Sequence, residues 1–174
     1  MNHKKFIREM MPRNPVTISP EATFFEAREI FQDKGIRHLP VVDKYNNLVG
    51  IVSDRDIREA GPSDATSLHI SEVNYLLLRL KVSSFMTPQD KLITATPDTL
   101  VEEAVQLMRD HKVGSLPVVE DGKLIGIFTE TDALGMLVDL FGRLPTWDEP
   151  FCTKMQEDTL IKMKVSKSLP VSNP

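Results

Sequence analysis

The chain has 174 residues, 41% hydrophobic and 26% charged, a balance that suits a soluble globular protein and excludes a disordered one. A formal net charge of −4 gives no global electrostatic reason to expect nucleic acid or an anionic membrane as partner. Cys152 is the single cysteine, so no intrachain disulfide can form, and a reducing cytoplasmic setting is expected.

The opening stretch MNHKKFIREMM has basic residues but no apolar run before Arg8, so a secretory signal is not expected. Nowhere does an apolar run approach the ~18 residues needed to span a bilayer. Residues 16–35, VTISPEATFFEAREIFQDKG, read as a short extended piece, a proline-containing turn and a helix. Thr23-x-x-Glu26 has the spacing of a capping box, and Ala27, Ile30 and Phe31 follow at helical period. Two apolar runs come next, LPVV (39–42) and LVGIV (48–52), and the polar DKYNN between them suits a hairpin turn. A second helix starts at Ser53. The segment ATSLHISEVNYLLLRLKV (65–82) carries Leu68, Ile70, Val73, Leu76, Leu77 and Leu80 as an apolar stripe, and reads as a linking helix that covers the sheet edge or reaches a partner.

From residue 93 the grammar repeats. ITATPDTLVEEAVQLMRDHK (93–112) holds a second capping spacing, Thr99-x-x-Glu102, and places Leu100, Ala104, Leu107 and Met108 on helical period. LPVV (116–119) and LIGIF (124–128) flank the turn EDGK, and another helix starts at Thr129. Its body, TDALGMLVDLFG (131–142), is apolar on more than one face, which points to oligomerisation through Leu137 and Phe141. The tail from 143 to 174 has four prolines and mixed charge; it reads as a loose extension or as a docking segment anchored by Trp147, Phe151 and Leu160.

Each unit is thus β-α-β-β-α, and one of roughly 60 residues buries too little surface to stand alone, so the two are expected to pack together. The motifs GIVSDRD (50–56) and GIFTETD (126–132) place Asp56 and Asp132 at matching positions, 76 apart. Read singly, Ser53/Asp56 and Thr129/Asp132 are helix caps. Their doubling behind matching strands raises the question of whether they also hold a ligand. His3, His69 and His111 have no partners at metal-ligand spacing, and Cys152 has no nearby histidine. Phosphate loops of the G-x-x-x-x-G-K-[ST] kind are absent, so neither a metal site nor an enzyme is expected.

Two β-α-β-β-α units, each with h-x-x-LPVV, a turn, h-G-h-h-[ST] and a following Asp, resemble a tandem pair of cystathionine-β-synthase (CBS) domains, a Bateman module. The resemblance spans about residues 5–141. It implies an α+β fold in which two CBS repeats pack by pseudo-twofold symmetry: the first over 1–66, the linker helix and second repeat over 67–141, and a tail over 142–174. The linker SLHISEVNYLLLRLKVSSFMT also resembles bacterial acetoin-utilisation-type proteins, in which a CBS pair commonly precedes an ACT domain. Only 33 residues follow Phe141, too few for an ACT domain.

What the resemblance implies is a cleft between the repeats that binds an adenosine-containing small molecule as a regulatory ligand, with no cofactor required. AMP, ADP, ATP, S-adenosylmethionine and a dinucleotide all remain open. Asp56 and Asp132 are the expected acceptors from ribose hydroxyls, and Ser53 and Thr129 the expected phosphate contacts. An ionised carboxylate can accept from two vicinal hydroxyls, and a helix N-terminus favours phosphate. The residues before LPVV, Arg37 and His38 in one repeat and Gly114 and Ser115 in the other, are expected at the phosphates, with Arg55 a further candidate. Since Arg37 and His38 belong to the first repeat, unequal half-sites are expected, with Asp56 the more important carboxylate. The implied function is a regulatory, nucleotide-sensing homodimer that acts on an unknown effector protein. The alternative is a structural CBS pair that keeps its cleft empty and works by binding a partner protein.

Overall fold

A computed structural model describes residues 5–62 and 69–140. His3, Leu68, the side chain of Ile70, Phe141 and the tail with Trp147, Phe151, Cys152 and Leu160 lie outside the described residues.

The first repeat runs α1 (Phe24–Lys34), β1 (His38–Val42), β2 (Leu48–Ser53) and α2 (Asp54–Ala60). After the linking helix α3 (Ile70–Arg79) and the two-residue strand β3 (Thr87–Pro88) come α4 (Val101–His111), β4 (Ser115–Glu120), β5 (Lys123–Thr129) and α5 (Glu130–Leu140). The hairpins β1–β2 and β4–β5 are antiparallel and share a register, with His38 opposite Ser53 and Ser115 opposite Thr129. The second turns tightly on Asp121 and Gly122, both at positive φ (51° and 79°), as a two-residue hairpin of this hand requires. In the first, the Asp43 carboxylate accepts from the backbone N–H of Tyr45 (2.8 Å) and Asn47 (2.9 Å) and holds a longer loop. The expected opening strand of each repeat contracts to one parallel bridge, Ile18 to Val41 and Ala95 to Val118, because prolines at 20 and 97 follow directly.

Each repeat is completed by a segment from the other side of the molecule. Ile7 and Met11 lie in one core with Val101, Ala104, Met108, Leu116, Val118 and Phe128 of the second repeat. Val82 lies in the other, with Ala27, Phe31, Leu39, Val41 and Val52 of the first, and Phe85 and Met86 pack against it. The backbones match: Ile7 N–H donates to Thr99 C=O (3.0 Å), and Val82 N–H to Ala22 C=O (2.8 Å). Ion pairs Arg8–Asp98 and Lys81–Glu21 run beside them. The hairpin turns also exchange bonds, Leu48 N–H to Gly122 C=O (3.2 Å) and Leu124 N–H to Asn46 C=O (3.1 Å). These reciprocal contacts are the expected pseudo-twofold axis.

Two details differ from the expectation. Helix α4 is capped one residue later than Thr99-x-x-Glu102 suggests: Glu103 accepts from Leu100 N–H (3.2 Å), while the Thr99 hydroxyl accepts from Thr96 N–H (3.0 Å) and closes the preceding turn. The linking helix α3, expected to cover the sheet edge or reach a partner, packs among the described residues on a helix start and not on a strand. Val73 and Leu77 bury against Phe24 at the start of α1, and Leu76 faces out.

The glycine of each h-G-h run is required by the same exchange. A Cβ at Gly50 would lie 2.6 Å from Met86 Sδ and 2.8 Å from the Thr87 carbonyl; at Gly126 its three nearest neighbours would all be Met11 side-chain atoms, the closest Sδ at 2.4 Å. A flexible methionine can retreat and a strand carbonyl cannot. We therefore expect Gly50→Ala to cost about 2–3 kcal/mol and Gly126→Ala about 1 kcal/mol, measured as shifts in urea unfolding midpoint at constant slope.

Candidate functional site

The motif residues sit where β2 and β5 end and α2 and α5 begin. At each junction one carboxylate oxygen closes a reciprocal cap. Asp56 Oδ2 accepts from Ser53 N–H (2.7 Å) and Ser53 Oγ (2.7 Å), and Asp56 N–H donates back to Ser53 Oγ (3.3 Å). Asp132 repeats this with Thr129 at 2.8, 2.7 and 3.3 Å. Capping is therefore real at both positions. It occupies only Oδ2, and among the described residues no hydrogen bond to Oδ1 accompanies it at either aspartate. An oxygen left this way can accept from a ligand hydroxyl without dismantling the cap.

Strand starts and helix starts are tied within each repeat: Asp54 N–H donates to Arg37 C=O (3.1 Å), and Glu130 N–H to Gly114 C=O (3.0 Å). The repeats then meet across the axis. A Cβ on Gly114 would stand 2.9 Å from His38 Cε1 and 3.5 Å from the Glu130 carboxyl carbon, so Gly114 leaves the space that the imidazole fills. Arg37 Nη2 lies 3.8 Å from Glu130 Oε2, both side chains more than half exposed, a weak pair across the two repeats. The structure thus brings Arg37, His38, Gly114 and Glu130 together, and aims Arg37 at the helix start of the second repeat. Ser115 is buried at 6% exposure beneath them, and Arg55 is exposed on α2.

Asp54 and Glu130, each directly after the hydroxyl residue, were not singled out from the sequence. They matter because with Asp56 they surround His38 with negative charge. The signal was present: the first variable position of [ST]-x-x-D is acidic in both copies. Burial pushes the His38 pKa below the usual imidazole value, Arg37 adds to this, and Glu130, Asp54 and Asp56 oppose it. Burial pushes the Asp132 carboxyl above the usual range, against the lowering effect of its bonds from Thr129.

A groove of about 880 Å³ opens elsewhere, between α4 and α5, lined by Met10, Val105, Val113, Leu134 and Leu137. It includes Glu130 but neither Thr129 nor Asp132. Among the described residues no cluster of three or more His, Cys, Asp or Glu side chains suits a metal, and no helix is long and apolar enough to cross a membrane.

Two α+β repeats around a pseudo-twofold axis, with a carboxylate at each strand-to-helix junction, define a tandem repeat pair. The CBS-domain family model matches residues 7–63 and 82–139, and the chain belongs to that family. A CBS domain-containing protein of Dictyostelium discoideum is 37% identical over 145 residues, 82% of this chain and 97% of its own. Among solved structures, a putative acetoin utilization protein (AcuB) from Vibrio cholerae is similar at a TM-score of 0.66 and 29% identity, over 80% of this chain and 94% of that one. CBSX2 in complex with AMP gives 0.63 and 29%, over 78% and 98%. The CBS domain pair of protein MJ0100, in complex with 5′-methylthioadenosine and S-adenosyl-L-methionine, gives 0.62 and 26%, over 80% and 97%.

His38 gives the pair a pH signature. Because its folded pKa is lowered, its contribution to stability is complete above about pH 6.5, the free-histidine value, and is lost as pH falls from there through the folded pKa. Asp132, with a raised pKa, acts oppositely, and only in the acid range between that raised value and the ordinary carboxylate value. We expect the melting temperature to fall between pH 7.5 and 5.5, and His38→Gln to flatten that slope relative to the wild type in scanning calorimetry.

Proposed function

We propose that this protein is a regulatory CBS pair that binds an adenine nucleotide or a related adenosine compound between its repeats and has no catalytic activity of its own. The observation that carries the reading is the pair of caps in which Oδ2 of Asp56 and of Asp132 is engaged while Oδ1 takes no bond among the described residues. The ligands held by CBSX2 and by the MJ0100 pair, all built on adenosine, support it. Asp56 and Asp132 receive ribose hydroxyls, with Ser53 and Thr129 beside them. Arg37 and His38 flank the 5′ end of the ligand on one side, Gly114 and Ser115 on the other, and Arg55 is a peripheral contact. The signal passes to an effector protein in the cytoplasm.

Ligand at 100 times its dissociation constant adds about 2.7 kcal/mol, or roughly 5–10 °C in melting temperature for a chain of this size. The expected result is such a rise with at least one of AMP, ADP, ATP and S-adenosylmethionine. Flat melting across millimolar concentrations of all four would favour a structural pair with an empty cleft. Replacing Asp56 or Asp132 by Asn keeps a capping acceptor and removes the anionic one. The expected loss is about 1.5–3 kcal/mol of binding at the occupied half-site, roughly 10- to 150-fold by calorimetric titration.

We propose that the active form is a homodimer that meets through the α4/α5 face, where Leu134 is 61% and Leu137 50% exposed. Light scattering should return about twice 19.7 kDa, and Leu134→Arg with Leu137→Arg should return the single-chain mass. A single-chain mass for the wild type at every micromolar concentration would reject the dimer.

A further inference from the structure

The two half-sites carry different charge. Helix α2 mixes signs: Arg55 and Arg58 stand among Asp54, Asp56 and Glu59, and Arg58 Nη1 lies 2.9 Å from Asp54 Oδ2. Helix α5 has Glu130 and Asp132 in its first turn and Asp139 further on, with no lysine or arginine along its length. The strand start beside it contributes Gly114 and Ser115, neither of them cationic. Lys112 lies nearby in the chain, but among the described residues it forms no ion pair with Glu130 or Asp132. Among the described residues Arg37 is the cation within ion-pair distance of this helix start, 3.8 Å from Glu130, and offsets one carboxylate of two; Lys5 and Arg109 line the groove that Glu130 borders but form no ion pair with it. Asp132 is partly buried, and the rise in its pKa comes from desolvation with no cation to counter it.

A phosphate brought to this junction would add negative charge beside an under-compensated pair of carboxylates, where partial burial weakens solvent screening. A thioether brings no charge there, and a sulfonium bearing an amino-acid tail, whose ammonium and carboxylate cancel, brings a net single positive charge. Resting on the reading that the cleft binds adenosine compounds, we infer that the half-site of the second repeat, at Thr129, Glu130 and Asp132, selects adenosine derivatives whose 5′ substituent carries no phosphate. S-adenosylmethionine and 5′-methylthioadenosine represent this class. The half-site at Ser53 and Asp56, with its mixed charge, makes no such selection. One molecule can then answer to two kinds of adenosine signal.

The test is calorimetric titration of the full chain at low ionic strength with S-adenosylmethionine, 5′-methylthioadenosine, AMP and ATP, in the wild type, Asp56→Asn, Asp132→Asn and Glu130→Gln, each checked for folding by circular dichroism. The expected result is that a phosphate-free ligand binds about tenfold or more tightly than AMP or ATP at a site that Asp132→Asn weakens and Asp56→Asn spares. Glu130→Gln, on an exposed side chain, should narrow that preference by improving AMP and ATP binding while leaving methylthioadenosine nearly unchanged. AMP or ATP matching methylthioadenosine at the Asp132-dependent site would overturn the inference and leave the proposed function standing. So would phosphate-free ligands that depend on Asp56 alone, or an unchanged preference in Glu130→Gln. Binding of none of the four would overturn the proposed function itself, and the inference with it.

Discussion

The structure depends on a mutual exchange of short segments. Residues 7–11 fill the core of the second repeat, and residues 82–86 fill that of the first. A two-stranded hairpin with two helices leaves one face of its core open, and an isolated hairpin is marginal in water. Here each gap is closed by an aliphatic side chain and a methionine from a segment that leads into the other repeat. Ile7 and Val82 are both fully buried, so neither core is complete until both repeats are present. Gly50 and Gly126 are small for the same reason, since Met86 and Met11 lie across them.

That exchange sets how the two strand-to-helix junctions face each other. The hairpin turns meet at Asn46 and Gly122, which leaves the opposite ends of the hairpins, with their strand starts and helix starts, facing each other across the axis. The symmetry ends at the side chains. Where the first repeat presents Arg37 and His38, the second presents Gly114 and Ser115, and the small pair accommodates the large one. Two equivalent helix starts thereby acquire unequal surroundings from a two-residue difference, and Arg37, although it belongs to the first repeat, reaches toward Glu130 of the second. A difference in charge between the two junctions follows from side chains and their packing, with no change in the hairpin register.

Much of this was legible in the sequence because the chain states it twice. The LPVV strands, the glycine between apolar residues, the Asp-Gly turn and the [ST]-x-x-D caps all have local physical causes, and local causes survive folding. Thr23 and Glu26 form the box their spacing implies, with Glu26 Oε2 accepting from Thr23 N–H at 2.7 Å. At α4 the spacing misled: Thr99 had a competing use in the turn that starts at Thr96, and Glu103 was available one residue on. The exchange of segments went unread because it is non-local. Its trace was there in Ile7-x-x-x-Met11 and Val82-x-x-x-Met86, the same spacing in both leading segments, but a repeat aligned only from residue 16 does not contain it. Glu130 escaped for a similar reason: an acidic residue in the first turn of a helix is ordinary until a histidine from another repeat packs beside it.

The claim that each repeat is completed by the opposite segment is tested most directly by native-state hydrogen exchange on Ile7→Ala. Truncating a fully buried isoleucine costs about 2–5 kcal/mol. The account predicts that protection falls in β4, β5 and α4, about a hundred residues away in sequence, with Leu116 and Phe128 among the amides affected. Full protection in the second repeat, with losses confined to α1 and the β1–β2 hairpin, would contradict it.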